Sequence, residues 1–219
     1  MFTQILWTQL KWTRIPLAVL AVVTFAAPAL AWRLGAAGYQ GAASEPMAIM
    51  VGFSAIGTVL MVTACLAGFV LVAHVWNLDA AAKHVYALSL PLPWSRFVAM
   101  RFGAGALSLL IPTLALWLGS LFALMMVQVP PTLHTYAGTL ALRFLLGALL
   151  AYALSFLLQY VAGRRASAVL LVLLLSGVVV TFVLSVLGYT RLLDTIGHAI
   201  VEWPGPLAVF ARDWKLVDV

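Results

Sequence analysis

The residues that could carry out chemistry are few and lie far apart. Four histidines stand at positions 74, 84, 134 and 198, and the single cysteine is Cys65. The histidines do not form an HExxH-type pair, no Gly-x-Ser-x-Gly element stands out, and there is no G-x-x-x-x-G-K-[ST] phosphate loop. A lone cysteine inside an apolar run makes neither an internal disulfide nor a Cys-rich metal site, and Cys65 reads as a small packing residue. The acidic residues are Glu45, Asp79, Asp194, Glu202, Asp213 and Asp218, none of them inside an apolar run. A proton- or sodium-coupled transporter needs an ion site within the membrane, usually a carboxylate. No cofactor site is expected, and any ATP-driven work must draw its energy from another subunit.

Composition explains this poverty. Of the 219 residues, 65% are hydrophobic and 8% charged, with a mean hydropathy of +1.12. Soluble domains carry roughly a quarter charged residues, so this chain cannot give itself a polar exterior in water. Its solvent is lipid. The formal net charge of +6 does not point to nucleic acid, because the basic residues sit singly or in pairs between apolar runs, as topology signals do.

A helix needs about 20 mostly apolar residues to cross the hydrocarbon core. Five stretches qualify, at 15–33, 48–76, 98–127, 139–161 and 167–188. The expected fold is therefore all-α: a polytopic transmembrane helix bundle of about five spans, forming one domain over residues 1–219. The stretch 1–14, with Phe2, Ile5, Leu6 and Trp12 among Gln and Thr, reads as an interfacial helix turning into the membrane at Pro16. The tail 189–219 reads as a broken outer-face segment, interrupted at Pro204-Gly205-Pro206. With a cytoplasmic N-terminus, Lys11, Arg14, Lys83, Arg96, Arg101, Arg164 and Arg165 lie inside. Arg33, Arg143, Arg191, Arg212 and Lys215 then lie outside, three of them in the long tail, so the short loops favour this orientation. His74 and Arg143 sit near span ends, His74 as a tolerated interfacial residue and Arg143 able to snorkel. Small residues four apart, at Ala64/Gly68, Ala99/Gly103 and Gly147/Ala151, would let helices approach closely.

The connection between the second and third spans carries the most information. It runs WNLDAAAKHVYALSLPLPWSRFVAMRFGAG from Trp76 to Gly105. Asp79 through Leu88 could form a short surface helix with Asp79 near its N-terminus, where a negative charge suits the helix dipole. Pro91 and Pro93 would stop it, and Arg96 and Arg101 bracket the start of the third span. In Asp79, Leu88-Ser89-Leu90-Pro91, Ser95-Arg96 and Arg101 the chain resembles the permease subunits of ABC-2-type ATP-binding-cassette transporters. The layout of an amphipathic N-terminal helix and a broken outer-face segment after the fifth span is similar as well.

That resemblance implies a coupling helix within residues 77–97, docking on a separate ATP-binding subunit through Asp79, Lys83, His84, Tyr86, Leu88, Ser89, Pro91 and Arg96. It implies a second permease copy or a paralogue as partner. It also implies a multi-pass place in the lipid of a bacterial cytoplasmic (inner) membrane, and no enzymatic activity in this chain. The sequence departs from the family where a sixth span would begin, at Trp214-Lys215-Leu216-Val217-Asp218-Val219. Either the sequence is truncated there or a shorter variant leaves its tail outside. In the second case a non-transporting scaffold or accessory subunit of a larger complex becomes the alternative.

Overall fold

A computed structural model describes residues 1–38, 46, 49–50, 53, 56–81, 93–127, 129–130, 133–162, 209 and 214–218. Five helices appear in these residues: α1 (Phe2–Gly38), α2 (Ile56–Ala81), α3 (Trp94–Ser108), α4 (Leu110–Val127) and α5 (Ala137–Ala162). One short antiparallel pair accompanies them, β1 (His134–Thr135) with β2 (Val217–Asp218). The described fold is thus helical apart from that pair. The chain divides into two compact units, residues 1–153 with 213–219, and residues 154–212. Of the second, the described part is the end of α5 and Val209. The stretch 167–188, expected as a fifth span, lies outside the described residues.

Among the described residues, four helical stretches are long and apolar enough to cross a membrane: Phe2–Arg33, Val59–Trp76, Trp94–Val127 and Ala137–Val161. The third combines α3 and α4, which meet at Leu109. Pro112 lacks the N–H that would reach back to Ser108, and the helix tightens there, with the Leu109 N–H donating to Ala106 O at 3.2 Å.

The turn expected at Pro16 is absent, because α1 runs unbroken from Phe2 to Gly38 with Pro16 and Pro28 inside it. Asp79 also differs from expectation. Asn77 to Ala81 contain no helix breaker, and the chain continues as α2 through them, so Asp79 lies far along a helix begun at Ile56.

Contacts set the directions of the helices. His74 late in α2 meets Trp12 early in α1, and the Trp32 and Phe53 rings stack at 5.7 Å, so these two chain segments run antiparallel. The α3–α4 rod runs parallel to α1, since Ile5 packs with Phe97 and Phe25 faces Gly119 and Phe122. Tyr152 of α5 meets Phe102 of α3, ring to ring at 5.3 Å. One end of this bundle therefore gathers the start of α1, the end of α2 and the start of α3.

Many large apolar side chains lie on the surface, and several polar ones lie inside among the apolar core. Ile15, Val19, Val22, Leu114, Leu118 and Leu142 are exposed, while Gln9, Thr13, Thr24, Arg101, Thr113 and Ser120 are buried. Lipid supplies no hydrophobic drive to pair helices, so close packing and internal hydrogen bonds must do so. Close packing falls on glycine. A methyl group on Gly68 would lie 2.5 Å from Tyr152 N and 2.7 Å from Ala148 O, both α5 backbone atoms. One on Gly119 would run into the Phe25 carbonyl of α1. Of the small-residue pairs seen in sequence, Ala64/Gly68 faces such a crossing, whereas Ala99 is exposed. Several buried hydroxyls are answered within their own helices, Thr13 Oγ1 donating to Gln9 O at 2.8 Å and Ser108 Oγ to Ala104 O at 2.9 Å. Thr24 Oγ1 also reaches across to Pro112 O at 3.0 Å.

The C-terminal residues close over the opposite end. Tyr136 N–H donates to Leu216 O at 2.9 Å, and Trp214 packs on Gly57, with Trp214 Cβ 3.2 Å from where a Gly57 side chain would begin. Residues 134–136 and 214–218 thus share one side of the bundle.

Two outcomes follow for this packing. Gly119→Ala should lower stability by about 1–3 kcal/mol, the usual cost of overpacking, measured by thermal unfolding in detergent; an unchanged midpoint would mean α1 and α4 are not in backbone contact. In a Cys65→Ala background, cysteines at Thr135 and Lys215 should react with a membrane-impermeant label from the same face, and one at Lys11 from the other. Labelling of 135 and 215 from opposite faces would refute the strand pairing.

Candidate functional site

Among the described residues, a polar cluster joins α1, α2, α3 and α5 at the end where α1 begins. Its centre is Arg101, 5% exposed although it carries a full charge. It stands seven positions after Trp94 at the start of α3, about 10 Å along the axis. Helical side chains lean toward the N-terminus of their helix, which tips the guanidinium toward that end of the bundle. There Arg101 Nη2 donates to Val75 O of α2 at 3.0 Å. The guanidinium carbon lies 5.0 Å from the Trp76 ring centroid and 5.7 Å from that of Phe97. Two aromatic faces and a carbonyl together replace much of the hydration the cation gives up.

Gln9 of α1 bridges to the backbone of α3. In the orientation its neighbours require, the amide nitrogen donates to Arg101 O at 3.3 Å and the amide oxygen accepts from Gly105 N–H at 3.2 Å. Gly105 must be glycine here, because a methyl group would overlap the Tyr152 hydroxyl and sit 2.7 Å from an atom of the Gln9 amide. The Tyr152 hydroxyl in turn donates to Phe102 O at 3.3 Å.

Pro16 accounts for the contact between α1 and α2. A proline at 16 has no N–H for the carbonyl of Trp12, four residues earlier. That carbonyl instead faces His74 Nε2 of α2 at 3.0 Å. A carbonyl can only accept, so Nε2 carries the proton in this contact. The histidine read from sequence as merely tolerated is the donor to a carbonyl that a proline has released.

Of the docking residues expected from sequence, the structure places two. Arg96 is exposed in the first turn of α3, and Asp79 is a residue of α2, one helical turn beyond Val75. Lys83, His84, Tyr86, Leu88, Ser89 and Pro91 lie outside the described residues. Gln9, Arg101 as a buried group, and Tyr152 were missed. A signal for Arg101 was present in Phe97 and Phe102 around it, since a cation flanked by aromatics within an apolar run can be stacked inside. Nothing in the spacing of Gln9 or Tyr152 marks them as partners. Among the described residues no three His, Cys, Asp or Glu side chains come together to hold a metal.

The arrangement holds helices to one another. It defines the chain as a helical membrane protein with a polar junction at one end. No family model, curated protein or solved structure matches the chain.

The His74–Trp12 contact can be tested against its cause. His74→Leu should cost about 1–3 kcal/mol by removing the donor to a part-buried carbonyl, and Pro16→Ala should recover much of it by restoring the N–H within α1. Additive losses in a double-mutant cycle by thermal unfolding would disconnect the two residues.

Proposed function

We propose that the chain is the permease subunit of an ABC-2-type exporter, moving its substrate with energy from ATP hydrolysed by a separate nucleotide-binding subunit. One observation carries this reading: the two helices flanking residues 82–92 are fastened to each other by Arg101 on Val75 and Trp76. The same junction reaches α1 through Gln9 and through His74 on Trp12. A push delivered to the 77–97 segment would therefore move α1, α2 and α3 as one body, which is what coupling by rigid elements requires. In this reading Asp79 and Arg96 take the ATP-binding subunit, and 167–188 forms a fifth span. A second copy or paralogue completes the pathway, in a bacterial inner membrane with the N-terminus cytoplasmic. The length of α1 suits a helix that begins at the interface and enters the bilayer without a break: 32 residues from Phe2 to Arg33 extend about 48 Å, well beyond a hydrocarbon core of about 30 Å.

The test is affinity purification of the tagged chain from its native membrane. An ATP-binding protein should co-purify with the wild type. Asp79→Lys and Arg96→Glu should each reduce its recovery about tenfold or more, equivalent to ~1.4 kcal/mol, with membrane insertion unchanged. Undiminished recovery in both variants would remove the docking role, and absence of any ATP-binding protein would favour a scaffold subunit.

A further inference from the structure

Where α3 meets α4, three hydroxyls act on the backbone. Pro112 has no N–H to offer Ser108 O, and Leu109 N–H donates to Ala106 O, only three residues back. Thr113 N–H lies 3.3 Å from Leu109 O, longer than the usual value of about 2.9–3.0 Å. Ser108 Oγ donates to Ala104 O at 2.9 Å and Thr113 Oγ1 to Leu109 O at 2.8 Å, the pattern of hydroxyls that bend helices. The third hydroxyl belongs to α1: Thr24 Oγ1 lies 3.0 Å from Pro112 O. We infer that Thr24 is a releasable latch on a hinge at Leu109–Pro112, with one setting that fastens α4 to α1 and one that lets it go.

The two settings follow from counting protons. A threonine hydroxyl has one O–H to donate. Thr24 Oγ1 stands within reach of three carbonyls, Pro112 O at 3.0 Å, Leu20 O at 2.8 Å and Ala21 O at 3.2 Å. In the helical pattern Leu20 O already accepts the Thr24 N–H of α1, and Pro112 O accepts the Leu116 N–H of α4. Neither oxygen therefore depends on the hydroxyl. When the proton turns from Pro112 O to Leu20 O, no polar group is left bare in a medium that offers no water to answer it. A hydroxyl without a second acceptor in its own helix would resist that parting.

The surroundings allow the change. Thr24 is buried, so no headgroup or water competes for its proton. Leu107, Leu110, Ile111 and Leu114, around the break, are exposed, so bending on that side meets acyl chains. Sharp helix kinks sit at prolines of this kind. The latch is a property of the bundle itself and stands whether or not an ATP-binding subunit drives it.

Pulsed electron–electron spectroscopy of the full chain in lipid nanodiscs provides the test. In a Cys65→Ala background, Leu30→Cys on α1 and Met125→Cys on α4 carry spin labels, both exposed and both beyond the Phe25–Phe122 contact. With Thr24 in place, the labels should give a dominant shorter distance and a minor longer one. Thr24→Val keeps the shape and removes the proton; it should raise the ratio of long to short by about three- to tenfold, the worth of one net hydrogen bond. Thr24→Ser keeps the proton and should hold the original ratio. Pro112→Ala restores an N–H across the break and should leave one narrow distance that Thr24→Val no longer moves. A single distance shared by Thr24 and Thr24→Val, or an unchanged ratio, would make the contact static and overturn the latch. An equal shift in Thr24→Ser would overturn it by assigning the effect to packing, and a shift that persists with Pro112→Ala by placing the motion elsewhere.

Discussion

Inside a bilayer there is no water to take up a polar group that the protein leaves unanswered. The described part of this structure follows from that constraint. Pro16 removes a donor from α1, and the carbonyl it releases is met by His74 of another helix. Arg101 brings a charge below the surface, and it is met by a carbonyl and two aromatic rings from α2 and its own helix. Gln9 spends its amide on the backbone of α3. Each solution requires a neighbouring helix in one register, so the polar groups specify which helices pair and at what height. Apolar side chains could not do this alone, because a leucine finds lipid and a neighbouring leucine nearly equivalent.

Glycine supplies the complementary half. Gly68, Gly105 and Gly119 lie where α5 backbone, the Tyr152 hydroxyl and α1 backbone come too near for a side chain. Polar contacts of about 3 Å between helices are possible only if the backbones approach this closely. At Gly105 the two devices coincide, since the residue whose missing side chain admits Tyr152 is also the one whose N–H holds Gln9. The junction is therefore a product of sequence at several helices together, and no single helix contains it.

That explains which parts were legible in the sequence. Spans are set by long apolar runs, a property of each segment alone, and each of the first four expected runs falls on a helix long and apolar enough to cross a membrane. Two starts differ by more than a turn: the second was expected from 48 whereas α2 begins at Ile56, and at the start of α1 polar Gln and Thr suggested a surface helix and Pro16 a bend. Gln9 and Thr13 are instead buried against the bundle, and the proline's cost is met from outside the helix by His74. Asp79 misled for a similar reason: a charge near a span end suggested a new helix, while Asn77 to Ala81 simply extend α2. Arg101 was visible as a basic residue but not as a buried one, because burial depends on Trp76, which is 25 positions away and belongs to another helix.

The position of the junction also bears on how the molecule could move. Arg101 binds Val75 and Trp76 across the 82–92 connection, so the ends of α2 and α3 cannot separate without exposing a cation and a carbonyl to lipid. Farther along, α1 meets α4 through Gly119 and Thr24, and α4 follows α3 only after the tightened turn at Leu109. Stiffness is thus concentrated at one end, with a discontinuity at Leu109 between it and the rest of the rod. A proline-induced break is a place where helices bend at low cost. If force enters at the 77–97 segment, the fastened end moves as a body and the angle at Leu109 changes. The backbone contacts at Gly119 then determine how far that change can spread into α1.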